Sequence, residues 1–168
     1  MHTTSEIRDG GARVRCLELQ PADALDRIGQ LDLMRALFAE VVVPPAVLHE
    51  VFADSGPPAW LRVIAPAAML DDAASPTLGR GEREAIALAV DTRARRIILD
   101  DLPARRLAAS LGLPVIGTAG LVLAAKNAGL VPTVAPIFDQ LVAAGFRLSP
   151  TVIAAVIAAA GESAPLSS

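Results

Sequence analysis

The run Ile97-Ile98-Leu99, closed by Asp100 and Asp101, constrains this 168-residue chain more than any other segment. Short, uninterrupted and mostly β-branched, it suits a strand covered on both faces, and such strands belong to parallel sheets packed between helices. Shorter or weaker runs of the same kind fall at 14–19, 41–43, 61–64 and 113–116. Helical patterns lie between and after them, at 21–28, 31–38, 46–52, 82–92, 103–111, 118–128, 134–143 and 151–160. Gly81 precedes the helix that starts at Glu82, and Gly112 and Gly129 close two others. The alternation predicts an α/β fold with a mostly parallel sheet, right-handed crossovers and helices on both faces.

Composition narrows the function. The hydrophobic fraction is 53% and the mean hydropathy +0.49, enough for a substantial core and an apolar surface for self-association or a partner. A net charge of −3 argues against a broadly basic nucleic-acid binder. It leaves room for a nuclease, whose site must itself be acidic to hold metal. Cys16 is the only cysteine, and His2 and His49 are the only histidines, so neither an internal disulfide nor a His/Cys metal site is expected. No segment has the order of a signal peptide, and the longest apolar stretch, 152–160, is too short to span a bilayer, so a cytoplasmic chain without membrane contact is expected. The expected organisation is a loose leader over 1–11, one domain over 12–162 and a short tail over 163–168. No GxGxxG, GxxxxGK[ST] or nucleophile-elbow pattern is present.

The acids are the candidates for chemistry, and each has a plain structural reading beside the functional one. Asp100 and Asp101 end a buried strand, where ligands gather in open parallel sheets, yet Asp after a strand also caps the next helix. Glu82 and Glu84 open a helix, where carboxylates favour the macrodipole. Two positions apart on a helix point about 200° apart, so one of that pair faces any site. Glu50 and His49 read as surface residues, and Asp71 and Asp72 as loop residues. Thr118 can serve as a simple N-cap. Arg93, Arg95, Arg96, Arg105 and Arg106 gather around the acidic strand end, as solvated surface or as phosphate contacts.

From Gly29 to Glu162 the chain resembles the PIN-domain superfamily, and is similar to a prokaryotic PIN-like branch of unknown function related to VapC-type toxins. The matching pieces are Ile28-Gly-Gln-Leu-Asp-Leu-Met34, Val43-Pro-Pro-Ala-Val-Leu-His-Glu-Val51, Gly81-Glu-Arg-Glu-Ala-Ile-Ala-Leu-Ala89, Ile97-Ile-Leu-Asp-Asp101, Arg106-Leu-Ala-Ala-Ser-Leu-Gly-Leu-Pro-Val-Ile-Gly-Thr118 and Ala144-Gly-Phe-Arg-Leu-Ser149. The resemblance implies a Rossmann-like sheet of about five strands with extra C-terminal helices. It also implies acids at the strand ends that bind Mg²⁺ or Mn²⁺ and cleave RNA, a toxin role with a small antitoxin partner, and a homodimer. Carried over residue by residue, Glu50 matches the acid after the second strand, and Glu84, or as second choice Glu82, the acid opening the buried helix. Asp101, with Asp100 beside it, matches the acids after the fourth strand. Thr118 corresponds more weakly, and it joins Arg105 and Arg106 as candidate substrate contacts.

One position departs from the pattern. Family members carry an aspartate at the end of the first strand, where this chain has Glu18 in Leu17-Glu18-Leu19-Gln20-Pro21. Glutamate is one methylene longer, and Mg²⁺ demands near-octahedral geometry. Glu18 substitutes for the aspartate, or Asp23 or Asp26 assists, or the domain is a degenerate binding or assembly module.

Overall fold

The computed structural model describes residues 14–17, 19–71 and 76–163, so Glu18, Asp72 and most of the expected leader and tail lie outside the described residues. Five strands pair in the order β3-β2-β1-β4-β5, with β1 Val14–Leu17, β2 Glu40–Val43, β3 Arg62–Val63, β4 Arg96–Ile98 and β5 Val115–Ile116. Every neighbouring pair is parallel. β1 is central, its Cys16 in register with Val42 on one side and Ile97 on the other. All strands therefore end at one edge, which is where the loops to the next helices begin.

The helices are α1 Leu19–Arg27, α2 Asp32–Leu37, α3 Pro45–Val51, α4 Arg80–Asp91, α5 Leu102–Ser110, α6 Thr118–Asn127, α7 Ala135–Ala143 and α8 Pro150–Ala159. Strand alternation divides them between two cores. Val41, Val43 and Ile98 join Leu25, Met34, Leu121, Phe138 and Ile157 on one face. Val42, Ile97 and Leu99 join Ile86, Leu88, Ala104 and Ala108 on the other. This is why β2 and β4 are apolar at successive positions: both of their faces are covered by helices. Gly112, at a φ of 75°, turns the chain from α5 towards β5 with its amide on the Ala109 carbonyl at 3.0 Å. After α8, Glu162 accepts from the Val134 amide at 2.9 Å and pairs with Lys126 at 3.2 Å, tying the C-terminal end of the domain to the start of α7. No helix among the described residues is long and apolar enough to cross a membrane.

One boundary corrects the sequence reading. α4 starts at Arg80, so Gly81 lies inside the helix instead of preceding it. Gly79 is the N-cap, with extended backbone, and its carbonyl takes the first helical bond from the Arg83 amide at 3.2 Å. The shift of two residues leaves Glu82 as the only acid of the first turn and moves Glu84 one turn beyond Arg80.

Ile97→Ala and Ile98→Ala, at fully buried positions on opposite faces of β4, are each expected to lower stability by about 2–5 kcal/mol. Exposed Val142→Ala is expected to change it by less than about 0.5 kcal/mol. Urea unfolding checks this, and equal small losses at all three positions would contradict the two-core arrangement.

Candidate active site

At the carboxyl edge of β4 the chain turns through Leu99 and the two aspartates. Asp101 is the N-cap of α5, its Oδ2 accepting from the Ala104 amide at 2.9 Å. Asp100 reaches the start of α6 instead: Oδ1 accepts from the Thr118 amide at 2.9 Å and Oδ2 from the Thr118 hydroxyl at 2.5 Å. The capping role thus applies to both residues, each on a different helix. Burial pushes the Asp100 carboxyl above its ordinary value, against the Thr118 hydroxyl and amide and the Arg105 guanidinium, which hold it down.

Gly117 makes this arrangement possible. A β-carbon there would lie 2.6 Å from Arg105 Nη1 and 2.8 Å from Asp100 Oδ1. Arg105 is fixed from the other side, with Nη1 donating to the Leu99 carbonyl at 3.1 Å. Thr118 is completely buried, so it orients Asp100 and, contrary to the expectation of a substrate contact, presents nothing to solvent. Arg106 is exposed on α5.

Glu84 and Glu82 diverge, as positions two apart on a helix must. Glu84 is 4% exposed. Its Oε2 accepts from the Ala46 amide at 3.0 Å and its Oε1 pairs with Arg80 Nε at 2.8 Å. It is a bracket that fastens the first turn of α3 to α4. Ala46 and Glu50 are four apart and share one face of α3, so the bracket also sets where Glu50 lies. Glu50 is exposed at the far end of α3.

Glu82 is the unsettled group. Its Oε2 is buried and meets no donor among the described residues at full hydrogen-bond geometry, although the Gly79 and Glu82 amides lie close enough to favour its charged form. Burial raises its pKa; the Gly79 and Glu82 amides oppose the rise, and the nearby carboxylates of Asp101 and Glu50 add to it. Glu50 on α3, Glu82 on α4 and Asp101 before α5 therefore share one negative field, drawn from three elements at one edge of the sheet. The preference for Glu84 over Glu82 does not survive this geometry, because the early start of α4 turns Glu84 inward to Ala46 and Arg80. Asp23 pairs with Arg27 on its own helix at 2.8 Å, and neither Asp23 nor Asp26 bears on Glu82. β1 ends at Leu17, and Glu18 lies outside the described residues.

No three His, Cys, Asp or Glu side chains among the described residues stand close enough together to hold a metal ion by themselves. The donor chemistry nevertheless fits a hard cation: every donor is a carboxylate oxygen, one of them is buried without a well-formed hydrogen bond, and Mg²⁺ is held by as few as one or two carboxylates with water completing its coordination. At Asp100 opens a cleft of about 490 Å³ whose walls also include Arg105 and Arg147. Sequence reasoning gave Arg147 no role, since a single arginine in a loop carries no periodic signal.

A parallel α/β sheet with acids at its carboxyl edge defines the class, and comparison of the sequence with family models names it. The model DUF3368, described as a PIN domain, matches residues 20–162. The chain belongs to the PIN-domain family. Comparison with curated proteins and with solved structures gives no match.

Two outcomes follow from this geometry. A raised carboxyl pKa means that the folded state binds the proton more tightly than the unfolded chain, so Glu82 loses stability as pH rises from its ordinary value through its raised one. Without metal, Glu82→Gln should therefore raise Tm at pH 7 to 8 and leave it unchanged below the ordinary carboxylate range; a lower Tm at pH 7 to 8 would contradict the assignment. Gly117→Ala should displace Arg105 and Asp100 and lower stability by about 1–3 kcal/mol in chemical unfolding, whereas a neutral effect would show that the approach at Gly117 is loose.

Proposed function

We propose that the chain is a metal-dependent endoribonuclease of PIN type that hydrolyses RNA phosphodiesters, with Glu50, Glu82 and Asp101 among the acids that hold Mg²⁺ or Mn²⁺. The observation that carries this reading is Glu82, whose buried oxygen lacks a well-formed hydrogen bond and whose pKa is raised by burial and, after it, by two carboxylates from other elements. Mutually repelling acids persist in a fold most readily where a cation offsets them, and perturbed carboxyls gather at functional sites. Glu18, following the central strand, is the fourth member of the proposed set.

A divalent ion at this edge supplies water activation and charge neutralisation at the phosphate, so no protein nucleophile is required. The chain's own residues position the site. Thr118 and Arg105 hold Asp100, the Ala104 amide holds one oxygen of Asp101, and the Glu84 bracket fixes α3 against α4 so that Glu50 and Glu82 keep their spacing. Resemblance to VapC-type toxins supports a toxin role, an antitoxin partner and a cytoplasmic setting. Exposed Val142, on an apolar cavity lined also by Ala143, Ile153 and Ile157, supports a homodimer.

The second reading is a PIN-like binding or assembly module without catalysis. It is favoured by the spread of the acids, no three of which meet among the described residues, and by Glu18 where the family carries aspartate.

The two readings separate in a cleavage assay with labelled RNA and Mn²⁺. Wild type should cut, while Asp101→Asn and Glu82→Gln should each lose about 100-fold or more. Glu84→Gln keeps an acceptor for the Ala46 amide and should retain most activity. Uncut RNA, together with no heat release on titrating Mn²⁺, would establish the binding module. Loss of activity in Glu84→Gln but not in Glu82→Gln would reverse the assignment on α4.

A further inference from the structure

The cleft at Asp100 is lined by none of the acids Glu50, Glu82 and Asp101, yet it is built from both charge and apolar surface. Asp100, Arg105 and Gly117 form one wall, and Leu102 borders it. Arg147, from the loop between α7 and α8, and Val152, from α8, form the other. Its volume of about 490 Å³ lies within the range of about 300–1,000 Å³ typical of small-molecule sites. It is too small for a helical duplex to enter and large enough for one nucleotide.

The charges are arranged for an anion. Both Asp100 oxygens are turned to Thr118. Arg105 commits one N–H to the Leu99 carbonyl, and a guanidinium has five. Arg147 is exposed and makes no hydrogen bond or ion pair among the described residues. Two guanidinium groups from separate elements thus face one cavity, and guanidinium suits bidentate phosphate contact. Between them, Leu102 is 56% and Val152 41% exposed, an apolar surface that an unstacked base would cover.

Resting on the nuclease reading above, we infer that this cleft is a subsite for one unpaired nucleotide of the bound strand, with Arg105 and Arg147 on its phosphate and Leu102 and Val152 against its base. Sequence-tolerant grooves of this kind combine basic groups along the backbone with surfaces that cover the bases.

Binding measured in EDTA tests this apart from cleavage. A fluorescent single-stranded hexaribonucleotide is titrated against wild type, Arg147→Gln and Arg147→Lys over a range of salt. Arg147→Gln should weaken binding about tenfold and reduce the slope of log affinity against log salt by about 0.7. Arg147→Lys should keep the slope and recover part of the affinity. Unchanged affinity and slope in Arg147→Gln would overturn the subsite, as would a blunt RNA duplex binding as tightly as the single strand. A wild type that shows these effects yet leaves RNA uncut with Mn²⁺ keeps the subsite and removes the nuclease. Cleavage by wild type with no effect of Arg147→Gln on binding removes the subsite alone.

Discussion

Burial of β4 on both faces is the constraint from which the rest of the domain follows. Ile97 and Leu99 point into one core and Ile98 into the other, all three fully buried. A strand in that position has no solvated side, so polar groups can be placed only where it ends. Parallel pairing brings the ends of all its neighbours to the same edge. Helices then start beside that edge, and each start leaves backbone amides that need acceptors. Carboxylates gather there to cap helices, and under the proposed function to meet a cation as well.

The structure separates these two uses among neighbouring residues. Asp100 and Glu84 are structural: both oxygens of each are engaged by groups of the fold, and they position what lies around them. Asp101 is divided, with one oxygen on the Ala104 amide. Glu82 has a buried oxygen without a well-formed hydrogen bond, and Glu50 sits exposed at the end of its helix. The acid with the least support from the fold is the one whose proton affinity is raised, by burial first and by the Asp101 and Glu50 carboxylates after it, and perturbed carboxyls gather at functional sites.

Much of the fold was legible in the residues. Buried strands announce themselves by runs such as Ile97-Ile98-Leu99, and helices by their period and by breaks such as Gly112, so most element boundaries lie within a residue or two of the pattern. The site was legible as a neighbourhood but not as a set. Choosing between Glu82 and Glu84 required the true start of α4, and Gly79 with extended backbone gives no capping side chain to mark it. The burial of Thr118 and the place of Arg147 on the cleft depend on how α6 and the loop before α8 pack, which no local pattern encodes.

The central claim is that Glu82 carries an elevated proton affinity, first because it is partly buried and then because it shares a field with Asp101 and Glu50. Carboxyl-carbon NMR titration of the full chain measures this directly. Glu82 should titrate above the ordinary glutamate range without metal, shift downward in Asp101→Asn, and shift downward again when Mg²⁺ is added to wild type. An ordinary titration of Glu82, indifferent to both Asp101→Asn and Mg²⁺, would contradict the account.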